Sequence, residues 1–231
     1  MAEATRVFWL ASKNARAEAG RISMTTAPVH VGAPPRVLAD LVANTWVRDL
    51  VAVVTFALLT AAAAQISIPL GFTPVPITGQ TFAVLLSGGV LGASRGALSQ
   101  LLYVGLGAIG LPFYADGASG ITADGALIAT FGYLFGFVIA AWVVGLMAER
   151  QQDRSVISAI PAFLAGTAII YLFGSLFLAW SLGIPFAADL SEPSALAFGI
   201  APFIIGDFIK SVLAGVLLPV GWKFFGSIRD V

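Results

Sequence analysis

From residue 50 to residue 94 the chain carries no charged side chain, and only Pro69, Pro74 and Pro76 interrupt the run. A bilayer core about 30 Å thick takes about 20 apolar residues in a helix rising about 1.5 Å per residue. The prolines therefore divide the run into two spans, 50–68 and 77–93, the second closed by Arg95. The pattern then predicts a short glycine-rich span at 98–113, a loop holding Asp116 and Asp124, and a span at 125–148 ended by Glu149-Arg150-Gln151-Gln152-Asp153-Arg154. A span at 156–180 follows, then a loop with Pro185, Asp189, Glu192 and Pro193, and a last span at 196–222 ended by Lys223. The expected architecture is an all-α integral membrane protein with six transmembrane helices and no internal repeat.

Residues 1–45 break this pattern and are expected to form an extension ahead of a membrane domain at 46–231. They hold Arg6, Lys13, Arg16, Arg21, Arg36, the single histidine His30, and prolines 28, 34 and 35. Val7-Phe8-Trp9-Leu10-Ala11 is too short for a signal-peptide core. Over 37–47, Leu38, Leu41, Val42 and Trp46 recur at helical spacing, as in a helix lying in the membrane interface. The plainer expectation for the extension is a mobile tail with no chemistry.

Composition sharpens the class. Apolar residues make up 58 % of the chain even without its 25 glycines, and charged residues 10 %. A soluble domain has roughly 45–50 % apolar residues with glycine included, and about 25 % charged. Mean hydropathy is +0.94. A soluble globule of this size cannot hide so much apolar surface. Net charge is zero, so nothing points to nucleic acid.

The charges are sorted by side. Every lysine and arginine except Lys210 falls in the N-terminal segment or in the connections that share its side: Arg48, Arg95, Arg150, Arg154, Lys223 and Arg229 among them. The opposite connections carry only Asp116, Asp124, Asp189 and Glu192. Basic residues stay cytoplasmic, so both termini are expected in the cytoplasm. Trp46, Tyr114, Trp180 and Trp222 fall at expected span ends, as in an aromatic belt.

Catalytic readings fail. Gly92-Ala93-Ser94-Arg95-Gly96 fits a nucleophile elbow, which needs a strand-to-helix turn, yet it lies at a helix–helix connection. Gly117-Ala118-Ser119-Gly120 is similar to the active-site string of intramembrane rhomboid proteases, but the single histidine lies in the cytoplasmic extension. With no cysteine there is no thiolate nucleophile or thiolate metal site. The lysines are Lys13, Lys210 and Lys223, and none follows a glycine, so a phosphate-binding loop ending in Gly-Lys-Ser/Thr is absent. Any ATP must be used by another subunit. The chain is not read as an enzyme, and no cofactor or metal is called for.

Asp207 and Lys210 are the only charges expected inside a span. Each costs about 2.5–3.5 kcal/mol at a helix centre. Three residues apart, they share a helix face and can pair. At about 1.5 Å per residue they lie about 22 Å and 18 Å from Trp222, in the outer half of the membrane. Either they form a structural ion pair or they mark a ligand site, and buried membrane charges more often mark function. Thr78 and Gln80 carry hydrogen-bonding groups into the top of the second span, beyond the stiff Pro74-Val75-Pro76 turn. The glycine-rich stretch 117–125 can cover the same opening. Gly88, Gly92 and Gly96, and again Gly132 and Gly136, recur every fourth residue, which reads as close helix packing. Ala57 and Ala61 have the same spacing; such a strip either packs inside or offers a smooth face to a partner.

These strings resemble the BioY family, the biotin-capturing S components of energy-coupling-factor (ECF) transporters. The resemblance rests on Ile68-Pro69 with Pro74-Val75-Pro76-Ile77-Thr78-Gly79-Gln80-Thr81, and on Gly107-Ala108-Ile109-Gly110-Leu111-Pro112-Phe113. Gly132-Tyr133-Leu134-Phe135-Gly136-Phe137 and Pro202-Phe203-Ile204-Ile205-Gly206-Asp207-Phe208-Ile209-Lys210 complete it. Where the family often has Gly-Pro-x-Gly-Gly-Tyr, this chain has Ile128-Ala129-Thr130-Phe131-Gly132-Tyr133.

The resemblance implies the S-component fold, biotin bound from outside, and partners: a transmembrane T component and a pair of ATPases. It implies that the Ala57/Ala61 strip contacts the T component. Biotin's ureido ring offers two N–H donors and a carbonyl acceptor: Asp207 can accept from an N–H, and Lys210 can donate to the carbonyl or to the valerate carboxylate. Gln80, Tyr133 and Ser119 are candidates for neutral hydrogen bonds, and Phe113 and Tyr103 for the apolar bicycle. An S component for another vitamin and a gradient-driven secondary transporter are the alternatives.

Overall fold

The computed structural model describes residues 36–41, 46–123, 125–188 and 192–229. Six helices follow the order of the expected spans: α1 Trp46–Ala64, α2 Gln80–Leu91, α3 Ala93–Ala108, α4 Phe131–Glu149, α5 Val156–Leu182 and α6 Ile204–Arg229. A 3-10 turn, Leu38–Leu41, precedes α1, and a short helix, Ala195–Gly199, lies between α5 and α6. Two small antiparallel ladders complete the connections: β1 Ser67–Ile68 with β2 Ile77–Thr78, and β3 Thr122–Ala123 with β4 Ala126–Leu127. Arg6, Lys13, Arg16, Arg21, His30, Asp124 and Asp189 lie outside the described residues.

Among the described residues four helices are long and apolar enough to cross a membrane: α1, α4, α5 and 204–224 of α6. The other two are shorter than the pattern implied. With 12 and 16 residues, α2 and α3 reach about 18 and 24 Å at 1.5 Å per residue. The expected second span begins at 77, but Ile77 and Thr78 pair as a strand with Ile68 and Ser67, which delays α2 until Gln80. Gly92 alone then separates α2 from α3; its φ of 84° is open to glycine at no steric cost. The expected third span shifts from 98–113 to 93–108 because Arg95 does not end it. Arg95 reaches Asp40 at 2.7 Å and Asp49 at 3.0 Å.

The last span is also broken. Ser194 caps the short helix by accepting from the Ala197 amide. Pro202 has no N–H and cannot extend a helix through its position. A new helix starts at Ile204, which puts Asp207 in its first turn.

Close packing explains the glycine spacings. A Cβ on Gly88 would lie 2.5 Å from the Ala141 carbonyl oxygen, and one on Gly96 would lie 2.9 Å from the Gly88 Cα. Gly132 meets the Phe173 carbonyl oxygen in the same way at 2.4 Å, and Gly136 the Ile170 Cα at 3.2 Å. These small residues let α2, α3 and α5 approach α4, whose buried side is largely glycine and alanine. Large apolar side chains instead point outward: Leu50, Leu58, Phe135, Trp142, Leu172, Phe208 and Leu213 are exposed. Helices with satisfied backbones and an apolar exterior suit lipid rather than water.

One end of the bundle gathers the basic residues. Asp40 and Asp49 sit on Arg95, Glu149 Oε1 accepts from the Ala93 amide at 2.8 Å, and the Arg154 guanidinium lies 3.4 Å over the Trp222 ring. Burial pushes the Asp40 carboxyl up, but Arg95 and the amides of Val37 and Arg36 outweigh it, so its pKa lies below the ordinary value. Asp153 is buried in the same end and accepts from Trp222 Nε1; burial holds its pKa above the ordinary value against that bond and the Arg154 charge. Trp46 and Trp180 are exposed at helix ends, as a belt requires. Trp222 and Tyr114 are not belt residues: both are buried, Trp222 on Asp153 and Tyr114 edge-on to Tyr103.

The interface helix expected over 37–47 is instead a 3-10 turn followed by the start of α1, with 42–45 outside the described residues. Val37 is buried, and Leu38 packs with Leu85, Phe163 and Leu218. The chain therefore meets the bundle upstream of residue 46.

Candidate functional site

At the end of the bundle opposite the basic residues, the β1–β2 connection, the starts of α2, α4 and α6, the loop after α3 and the middle of α5 enclose a cavity of about 350 Å³. Small-molecule sites usually run from about 300 to 1,000 Å³. The space exists because α2 starts late: Thr78, Gln80 and Thr81 all line it.

Its floor is an ion pair. Lys210 Nζ lies 2.7 Å from Asp207 Oδ1 and also donates to the Thr78 carbonyl oxygen at 2.6 Å and to Thr81 Oγ1 at 3.3 Å. Thr81 Oγ1 donates to Asp207 Oδ1 at 2.9 Å, and the Tyr171 hydroxyl donates to Asp207 Oδ2 at 2.8 Å. Asp207 is only 4 % exposed. Such a charge is stable when it is paired and its lone pairs are occupied. Two helix N-termini add to this: Asp207 is in the first turn of α6 and bonds Thr81 in the first turn of α2, where the helix dipole favours an anion.

Neutral groups and apolar surface form the walls. Thr78 Oγ1 donates to Gln80 Oε1 at 2.8 Å, and Gln80 Nε2 donates to the Tyr103 hydroxyl. The Tyr133 hydroxyl donates to the Gly199 carbonyl at 2.8 Å. Val75, Leu134, Phe137, Ile170 and Phe203 supply apolar surface. Burial pushes the Tyr114 hydroxyl up to about 12, so it stays a neutral donor, here to the Val104 carbonyl.

Of the residues expected from sequence, Asp207, Lys210, Gln80, Thr78, Ser119 and Tyr133 line this one cavity. Tyr103 and Phe113 do not. Tyr103 is fully buried behind Gln80 and holds its amide, and Phe113 packs against the core that includes Tyr103 and Tyr114. The Tyr133 hydroxyl proton is already given to the Gly199 carbonyl. Among the wall residues that the sequence reading missed are Thr81, Tyr171 and Asp116. A signal for Tyr171 exists in the spacing. Thr167, Tyr171 and Ser175 recur every fourth residue of α5, and the first two meet Ser211 and Asp207 of α6.

The model of the BioY family matches residues 29–227. The chain belongs to the BioY family. The match begins inside the segment set apart as an extension, where the structure also finds Val37 and Leu38 on the bundle. Among curated BioY relatives, a probable biotin transporter BioY of Lysinibacillus sphaericus is 37 % identical over 79 % of this chain and 91 % of its own length. The biotin transporter BioY of Thermotoga maritima is 39 % identical over 74 % and 93 %, and that of Rhodobacter capsulatus 43 % over 70 % and 85 %. The crystal structure of an S component for biotin from an ECF-type ABC transporter has the same fold, with a TM-score of 0.64 and 24 % identity over 77 % of this chain and 92 % of that one.

The Ala57/Ala61 strip is buried in this BioY chain. Ala57 and Ala61 are 0 % and 7 % exposed, within the core that holds Tyr103, Tyr114 and Val84. The strip packs α1 inward against α2 and α3 and is not an open docking face. The outward face of α1 carries Val51, Leu58 and Leu59 instead.

Proposed function

We propose that this protein is a biotin-capture S component that takes biotin into the cavity from outside the cell and releases it across the cytoplasmic membrane with ECF partners. The observation that carries this reading is the buried Asp207–Lys210 pair at the floor of a cavity of vitamin size. The names of the curated relatives support biotin as the ligand.

The chemistry fits a cyclic urea. An ionised carboxylate has about four lone-pair sites. On Asp207, Thr81, Lys210 and Tyr171 take three, which leaves one on Oδ2 for a ureido N–H. The ureido carbonyl then accepts from Lys210 in place of Thr81 Oγ1, its longest contact. Gln80 and Ser119 supply neutral contacts, and Phe137, Leu134 and the Tyr133 ring cover the bicycle. The sequence has no phosphate-binding loop, so ATPase subunits and a T component supply the energy. Purified in detergent from cells grown with a vitamin mixture, the chain should retain biotin, identified by mass spectrometry. Retention of another vitamin, with no displacement by biotin, contradicts the reading.

In this reading the basic end of the bundle faces the cytoplasm, where basic residues are retained, and both termini are expected on that side. The chain has no native cysteine. A cysteine at Ser119 should therefore react with an impermeant thiol reagent outside intact cells, and one at Gln151 should not. The reverse labelling overturns this orientation.

A further inference from the structure

Among the described residues, the charged ones on the cavity wall are Asp207, Lys210 and Asp116. Lys210 is neutralised by Asp207 at 2.7 Å, and among the described residues no cation pairs with Asp116. Asp207 is buried at the closed end, whereas Asp116 is exposed, in the loop after α3. With the urea on the floor, Asp116 is the unpaired charge left on the described wall for the ligand's other end to meet. That loop offers no anion-binding nest in exchange: the amides of Gly117, Ala118 and Gly120 are bonded to the carbonyls of Tyr114, Ala115 and Gly107. The connections on this side hold acids and no lysine or arginine.

We infer that Asp116 sets the preference of the site for charge on the ligand's tail, so that biotin bearing a neutral amide or a cationic amine binds more tightly than the free carboxylate. This rests on the biotin reading above. Asp116 holds a left-handed backbone, φ 58°, and accepts from Ser67 Oγ at 3.1 Å. Asparagine tolerates that backbone and keeps an acceptor for Ser67. Asp116→Asn thus removes charge with little else.

The test is equilibrium binding of biotin, biotinamide and biotinyl-ethylenediamine to the purified full chain. In the wild type the amide should bind about tenfold more tightly than the acid, about 1.4 kcal/mol, and the amine more tightly again. The gap should shrink as salt rises. In Asp116→Asn the three should fall within about twofold of one another, the gain being on the acid. Ser67→Ala, which removes the hydrogen bond but not the charge, should keep the wild-type order. Equal wild-type affinities, or an order that survives Asp116→Asn, overturn the inference while leaving the biotin reading intact. Failure of all three compounds to bind overturns both.

Discussion

Replacing Asp207 with asparagine is expected to lower biotin affinity by about 100-fold or more. The side chain accepts from Thr81, Lys210 and Tyr171, and asparagine has one acceptor oxygen where aspartate has two. Lys210 is left beside a neutral amide in an apolar setting. Removing one partner of a buried charge pair costs about 3–5 kcal/mol, and each 1.4 kcal/mol is about tenfold in affinity. Lys210→Met should act in the same direction, and the double variant should lose little beyond either single one, because the two charges act as a unit. Isothermal titration on well-folded, monodisperse protein checks this. Unchanged binding in Asp207→Asn reduces the pair to a structural ion pair.

The second large effect concerns folding. Gly145 of α4 lies under the α2–α3 junction, and a Cβ there would sit 2.3 Å from the Ala93 amide nitrogen and 2.4 Å from the Gly92 carbonyl carbon. Both obstacles are backbone, so no side chain can rotate away. Gly92 is itself fixed by its φ of 84°, and the Ala93 amide is held by Glu149. Gly145→Ala should therefore destabilise the protein by about 1–3 kcal/mol or more, the usual cost of overpacking. Gly105 of α3 is the control, with open space where a Cβ would go. Gly105→Ala should be neutral or slightly stabilising, since alanine favours helix over glycine. Thermal unfolding in detergent compares the two. An equal response to both substitutions removes the close-packing account of the glycine spacings.

The order of the helices and the gathering of positive charge at one end were legible because both follow from coarse terms: burial of apolar length and the placement of arginine and lysine. Asp207 and Lys210 were legible for the same reason, as isolated charges in an apolar run. What the pattern hid depends on local pairings at helix ends. Hydropathy places Ile77 and Thr78 in a span, yet their ladder with Ile68 and Ser67 cuts α2 short and opens the cavity. Arg95 looked like a span terminus because Asp40 and Asp49, which offset its charge, are distant in sequence. The direction of the Ala57/Ala61 strip is set by which side of α1 meets α2 and α3; spacing alone carries no such sign. Tyr103 is apolar in bulk and polar at its tip, and only the fold shows that the tip holds the Gln80 amide.

A structure of the purified chain with biotin bound tests the central claim most directly. The account predicts the ureido oxygen within hydrogen-bonding distance of Lys210 Nζ and a ureido N–H on Asp207 Oδ2, with Tyr171 still on that carboxylate. Biotin outside this cavity, or bound in it with the urea away from Asp207 and Lys210, contradicts the account.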